Sequence, residues 1–485
     1  MFSKQQIHKR FISKFTLLTI LTFSSSCVTG NDIVQRRPER SQTIHSNVSC
    51  WLTDPGSSIY LEKQNTESYF TSNINSDPTI KVDSVTKYQT MDGFGFAMTG
   101  GSAYLINKLA VPVRSKLMNE LFSNDSSSIG ISYLRISIGA SDLNSSVFSY
   151  DDIDPSKTDT ALLNFSIKPD SFDLIPILKS AIAINPGIKI LGSPWSAPAW
   201  MKTNKNTKGG SLKSEYFGTY ARYFVKYIQA MKDQGIVIDA ITIQNEPLNP
   251  DNNPSMFMSA EDQALFIKFY LGPEFAKAKI STKIILYDHN CNDPDYPLTI
   301  LNDPEARKYS DGSAFHLYGG SIDALSTVHN AYPDKNVYFT EQWVGGPGNF
   351  AEDLKWHVKN LIIGAPRNWS KNVIEWNLAS DPNYDPHTPG GCTTCLGALT
   401  LSNDVKRNVS YYIIAHASRF VPMGSIRIDS NVPDYLPNVA YLTPTGKKVL
   451  IVLNESNSQM TFNIQFSNKV ATHNLAAGSV ATYTW

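Results

Sequence analysis

Neither sign of charge is in excess along this 485-residue chain, in which 43 Lys and Arg face 43 Asp and Glu. With no net charge there is no long-range field to recruit nucleic acid or another polyanion, and a neutral partner such as a sugar fits better. Cysteine is scarce. The five present, Cys27, Cys50, Cys291, Cys392 and Cys395, are too few for a disulfide scaffold of this size. No apolar run reaches the roughly 20 residues that a membrane-spanning helix needs, the N-terminal one from Phe15 to Phe23 included. Tandem repeats, low-complexity blocks and a complete set of metal-ligand spacings are also missing, which leaves no signal for a solenoid, a disordered tract or a full zinc site.

What the chain does hold is a large supply of core-forming side chains. Hydrophobic residues make up 41% and aromatics 11%. This excludes a disordered or fibrous class, and the length calls for one large domain plus one small one. At the N-terminus Lys4, Lys9, Arg10 and Lys14 precede the apolar run, and Ser24, Ser25, Ser26 and Cys27 follow it. That order marks a secretory signal over 1–27. Cys27 resembles the acylated cysteine of a bacterial lipoprotein, so the chain reads either as secreted or as anchored to the cell surface or outer membrane through a lipidated Cys27. Residues 28–47 read as a tether. Cys392-Thr393-Thr394-Cys395 has the spacing of redox motifs and half zinc sites. With no second pair and no thioredoxin-type context, it reads as a small disulfide bracing a loop.

Short β-type pieces alternate with Asn, Ser, Asp and Pro over 48–85, and similar runs recur over 408–485, among them Lys447 to Leu453, Met460 to Phe466 and Ser479 to Trp485. Both chain ends therefore predict one β-sandwich side domain. Between them, over 86–407, lie eight β-rich runs with helical stretches intervening: Tyr88–Gly95, Tyr133–Gly139, Ile188–Trp195, Ala240–Glu246, Lys283–His289, Ala314–Tyr318, Val337–Glu341 and Asn372–Trp376. Eight such repeats predict an α/β fold, a (β/α)8 TIM barrel, whose reactive groups sit at the C-terminal ends of the strands.

Run four ends in Asn245-Glu246-Pro247 and run seven in Thr340-Glu341. Two carboxylates on one rim suit glycosidic cleavage, in which one protonates the leaving oxygen while the other attacks the anomeric carbon or activates water. A separation of roughly 5 Å across the barrel would give retention of configuration. An ionised Glu341 would raise the pKa of Glu246 and keep it protonated as the acid; once Glu341 is glycosylated, Glu246 ionises and serves as base. Asp288, His289 and His316 also end strands and count as rim candidates.

Met91-Asp92-Gly93-Phe94-Gly95, Leu134-Arg135-Ile136-Ser137-Ile138-Gly139-Ala140-Ser141-Asp142, Ser193-Pro194-Trp195-Ser196-Ala197-Pro198-Ala199-Trp200-Met201-Lys202, Gln244-Asn245-Glu246-Pro247, Thr340-Glu341 and Glu375-Trp376-Asn377-Leu378 occur in this order. Together they resemble glycoside hydrolase family 30, which includes glucosylceramidases and β-1,6-glucanases. The resemblance implies Glu246 as acid/base, Glu341 as nucleophile and Asn245 on the sugar 2-hydroxyl. It also implies Asp142 on far-side hydroxyls, Trp195 and Trp376 as subsite walls, and Arg135 and Tyr318 as groups that orient the nucleophile. No cofactor or metal is implied. The substrate expected is a β-glucoside, foremost a glucosylceramide-like glycolipid as for a retaining glucosylceramidase, with an endo-β-1,6-glucanase as the alternative and a non-catalytic surface glycan-binding protein as a third reading. Gln342-Trp343, Leu317 and the loop Asp381 to Cys395 depart from the glucosylceramidase pattern toward the bacterial branch that includes β-1,6-glucanases.

Overall fold

The computed structural model describes residues 47–65 and 68–485. The expected signal segment, Cys27 and all but the last residue of the tether lie outside the described residues. Eight parallel strands close the barrel: β1 (Gly93–Ala97), β2 (Tyr133–Ser137), β3 (Lys189–Ser193), β4 (Ala240–Thr242), β5 (Lys283–Asn290), β6 (Ser310–His316), β7 (Asn336–Glu341) and β8 (Ser370–Asn377), with β8 pairing back to β1. Every residue of β1 and β2 is buried, because helices cover the outside of the barrel and side chains fill its interior. The helix Phe217–Asp233 shows the outer packing. Tyr220, Tyr223, Phe224, Tyr227 and Met231 face inward at helical spacing, and Gly235 at φ 80° lies just past its end.

Inside the barrel, Tyr133, Leu191, Ala240, Ile285, Ala314, Tyr338 and Ile374 form a buried cluster of their own. Each of seven strands contributes one residue. Strand side chains alternate with a period of two, so the next inward layer falls two residues further on. It holds Arg135, Ser193, Thr242, His316, Thr340 and Trp376, where the chain changes from apolar to polar. Strand β5 breaks the count. Tyr287 and Asp288 both sit at φ 70°, and the register on β6 skips from Tyr287 to His289. This bulge turns Asp288 inward in place of Tyr287.

Both chain ends build the side domain. Strand Asn47–Asp54 pairs antiparallel with Val480–Thr484, which continues through Lys448–Leu453, Asn438–Leu442 and Ile426–Ser430 to the long strand Thr79–Thr90. Two expected boundaries shift. Tyr88 to Thr90 belong to that long sandwich strand, and the barrel strand starts only at Gly93, because residues 91 and 92 leave the sheet between them. The helix Val409–Ser418, placed on the sandwich side by a boundary at 407, covers the barrel against β1. Its apolar residues had no strand pattern to mark the change. No helix among the described residues is long and apolar enough to cross a membrane.

That helix also joins the two domains. His416 is fully buried, with Nδ1 2.9 Å from Thr482 Oγ1 and Nε2 2.8 Å from Thr53 Oγ1. Burial pushes its pKa down to about 3, below the roughly 6.5 of an unfolded chain. The unfolded state thus takes up a proton that the folded state refuses, and stability present above about pH 6.5 is lost as pH falls toward 3. His416→Gln should lower the thermal midpoint at pH 7 and show a shallower fall between pH 7 and 4, read by calorimetry. Parallel curves for the two proteins would contradict this assignment.

Candidate active site

The polar layer is organised around Arg135, which has no exposed surface. Its Nη1 donates to Glu341 Oε2 at 2.5 Å, its Nη2 to Asp288 Oδ2 at 2.7 Å and to Asn245 Oδ1 at 2.6 Å, and its Nε to Ser193 Oγ at 3.2 Å. Asp288 completes the set. Thr242 Oγ1 lies 2.7 Å from Asp288 Oδ2, Thr340 Oγ1 2.7 Å from Oδ1, and His316 Nε2 3.1 Å from Oδ1. Four groups on four strands therefore hold Asp288 far below the usual carboxylate range, against the opposing effect of burial.

Glu246 reaches the same centre from beyond β4. The expected run Ala240–Glu246 is strand only to Thr242, and Glu246 adopts φ 44°. Its N–H donates to Asp288 O at 3.0 Å and that of Asn245 to Pro194 O at 2.8 Å, so β5 and the residue after β3 hold the turn. Glu246 Oε1 lies 3.2 Å from His316 Nδ1, and Oε2 accepts from Asn249 Nδ2 at 2.8 Å. Carboxylate oxygens of Glu246 and Glu341 lie within 4.8 Å of one another.

The expected protonation of Glu246 needs correcting. Burial raises its pKa, but the hydrogen bond and charge of His316 outweigh burial and bring the carboxyl down to about 2. Burial likewise opposes protonation of His316, yet Glu341, Asp288 and Glu246 surround the imidazole and lift it to about 9. Burial lifts Glu341 above its ordinary value, opposed by the charges of His316 and Arg135. A guanidinium contact at 2.5 Å and a hydroxyl of Tyr318 at 2.9 Å oppose that shift by bonding to the charged carboxylate. Sequence reasoning considered only the repulsion between the two glutamates and missed the imidazole that screens it.

Above this layer a cavity of about 540 Å3 opens between the βα loops. Trp195 and Trp376 stack with centroids 5.4 Å apart, and Arg135 lies 4.9 Å from the centroid of Trp195. Tyr318, 39% exposed, and Asp142, 5% exposed, line the same space. Every site residue expected from the sequence thus meets at one centre. Thr242, Thr340 and Asn249 were not singled out, and Asp288 only as a rim candidate; period-two counting from the inward apolar layer would have found the two threonines, but the bulge hides that Asp288 turns inward. Glu246, His316 and Glu341 also have ligand atoms close enough to hold a cation. Both His316 ring nitrogens already face carboxylates and Arg135 occupies Glu341, so these donors suit proton chemistry better.

A closed parallel barrel that presents two glutamates to a cavity walled by tryptophans defines a carbohydrate-cleaving barrel enzyme. The chain belongs to glycoside hydrolase family 30. The Glycosyl hydrolase family 30 TIM-barrel domain matches residues 91–421 and the Glycosyl hydrolase family 30 beta sandwich domain residues 424–483. It is similar to an endo-1,6-beta-D-glucanase of Aspergillus fumigatus, 35% identical over 424 residues, which are 81% of this chain and 85% of that protein. It also resembles the lysosomal acid glucosylceramidase of Mus musculus, 29% identical over 432 residues and 82% of each chain. Among solved structures, the endo-beta1,6-glucanase BT3312 aligns with a TM-score of 0.83 at 33% identity, covering 90% of this chain and 99% of that one.

The Arg135–Asp288 pair carries a sharp expectation. Asp288→Asn leaves a buried guanidinium short of one countercharge, which should cost roughly 3–5 kcal/mol of stability. It also turns one of the two acceptor oxygens into an amide donor, so Arg135 and His316 can no longer both donate to this side chain. Denaturant unfolding and kcat should both report the loss; an unchanged midpoint would mean that the remaining contacts neutralise Arg135 on their own.

Proposed function

We propose that the chain is a retaining endo-β-1,6-glucanase with Glu341 as nucleophile and Glu246 as acid/base. One observation supports a glucan over a lipid leaving group. Beyond Glu246 the cavity is lined by Asn249, Asp251, Asn252 and Asn290, with Leu248 and Pro250 among them. Three amides and a carboxylate there suit a hydroxylated acceptor sugar, whereas the alkyl chains of ceramide would leave those groups without partners. The relatives favour the same reading. The Aspergillus fumigatus protein and BT3312 are named as β-1,6-glucanases, and both are more similar to this chain than the mouse glucosylceramidase is. The glycolipid reading, foremost from the sequence, therefore becomes second. Two carboxylates tied into a charged network also speak against a merely glycan-binding role.

In this mechanism Arg135 occupies the Asn245 carbonyl oxygen, which leaves the Asn245 amide N–H to donate to the sugar 2-hydroxyl. Trp195 and Trp376 provide walls for the sugar ring, and Asp142 accepts from its far-side hydroxyls. Glu341 attacks the anomeric carbon as the bond to the leaving oxygen breaks. Arg135 and Tyr318 hold the attacking carboxylate in place. The acid proton moves from His316 Nδ1 to Glu246 and on to the departing oxygen; its first transfer changes no net charge in the buried site, so burial opposes it little. After glycosylation Glu341 is neutral, and Glu246 takes a proton from the water that releases the sugar. A carboxylate separation within 4.8 Å supports attack by the glutamate itself, since inversion needs room for a water.

A disulfide joins Cys392 and Cys395, which fits an oxidising compartment and supports export of the chain. Export by the N-terminal segment, with or without lipidation of Cys27, stays part of this proposal.

Incubation of residues 47–485 separately with β-1,6-glucan and glucosylceramide should yield short β-1,6-linked oligosaccharides from the first and leave the second intact. Ceramide release with no glucan cleavage would overturn the substrate reading. For the mechanism, azide should rescue Glu246→Ala with a β-glycosyl azide as product, and an α-azide would mean inversion.

A further inference from the structure

The loop after β8 carries a feature that the reaction above does not use. Residues 388–395 touch three rim loops at once. Thr388 N–H donates to Asp142 O at 2.8 Å, Asn253 Nδ2 donates to Pro389 O at 2.9 Å, and Gly346 N–H donates to Thr394 O at 2.7 Å. Asp142 follows β2, Asn253 follows β4 and Gly346 follows β7. Gly391 is needed for the approach, because a Cβ there would lie 2.5 Å from Asp142 O and 2.8 Å from Thr388 Oγ1.

The next residue supplies the contact of interest. Cys392 N–H donates to Asp142 Oδ2 at 3.3 Å, the one side-chain hydrogen bond that Asp142 receives from another described residue. Its Oδ1 is buried with no hydrogen-bond partner. Cys395, 3% exposed, packs with Trp195 and Trp376, while Cys392 lies at the edge of the same cluster, and both line the cavity. A sequence as loose as Pro389-Gly390-Gly391-Cys392 has no helix or strand to hold an N–H in one direction. The disulfide to Cys395 fastens it to the strand pair in which Cys395 meets Gly345. Closing so short a ring constrains the unfolded chain little, so its effect is concentrated on the turn itself.

We propose that the Cys392–Cys395 disulfide is a positioning device for Asp142, which fixes the Cys392 N–H on one carboxylate oxygen and aims the other at the bound sugar. This rests on the reading that Asp142 accepts sugar hydroxyls. Asp142, at 5% exposure, is pushed up to about 7 by burial and by Glu341, with the Cys392 N–H opposing them. Loss of that N–H therefore weakens the charged form as well as its aim.

The test compares kcat, KM and thermal midpoint for the wild type, C392A/C395A, D142N and the triple variant, on an aryl β-glucoside and on a β-1,6-linked gluco-oligosaccharide. Opening the disulfide should raise KM roughly tenfold, as for one lost hydrogen bond to a charged group, with kcat changed less than about twofold. With Asp142→Asn already present, the cysteine changes should add little. A KM increase that adds fully to that of D142N, or an unchanged KM with the bridge absent, would overturn the proposal. Should the double alanine variant fail to fold, wild-type protein opened with a phosphine reductant, and verified by the mass of its alkylated cysteines, provides the same comparison. A wild type that cleaves the aryl glucoside but not the oligosaccharide would remove the glucanase reading and leave the disulfide test intact.

Discussion

Arg135 has no contact with solvent, so its charge has to be met by protein groups where it lies. Asp288 and Glu341 meet it directly, and the other polar residues of the upper barrel follow from that pairing. Asp288 needs further donors and receives them from Thr242, Thr340 and His316. Arg135 also holds the Asn245 carbonyl oxygen, which determines how that amide faces the cavity. His316 spans Asp288 and Glu246, so the same network that neutralises Arg135 sets the proton inventory of the second glutamate. Losing one member leaves at least one buried charge without a partner, which makes the group act as a unit.

Much of this was legible from the chain alone, for particular reasons. A buried parallel strand reads as a β-rich apolar run, and β2, β3 and β7 stand where their runs predict them. Glu246 and Glu341 stood out as a pair, because two charged residues closing buried runs four and seven fall on one rim of such a barrel. Tyr88 to Gly95 misled because two strands from different domains follow one another with only two residues between them. The bulge at Tyr287 and Asp288 was invisible, since neither residue is a glycine that would announce a left-handed backbone. The proton distribution was misjudged for a different reason. It depends on an imidazole 3.2 Å from Glu246, and that distance is a property of the closed barrel rather than of either strand.

The division of labour between layers explains why the loops differ from the centre in what they reveal. Most of the charged layer sits on strands, with Glu246 just beyond β4, whereas much of the cavity wall comes from residues past the ends of β2, β3, β4, β6, β7 and β8. The choice between a glucan and a glycolipid depends on the second, where Asn249, Asp251, Asn252 and Asn290 line the cavity. Hydrogen-bonding residues in a loop have no period that a sequence reading can use, and only the assembled rim shows that they converge.

The most direct test of the central claim is to trap the reaction midway. A 2-deoxy-2-fluoro-β-glucoside with an activated leaving group slows both chemical steps but still permits the first, so a covalent glycosyl-enzyme accumulates and its peptide can be identified by mass spectrometry. The sugar should be found on Glu341, with inactivation prevented by a competing β-glucoside. A label on Glu246 or Asp288, or full turnover with no adduct at any time, would contradict the arrangement in which Arg135 and Tyr318 hold Glu341 as the nucleophile.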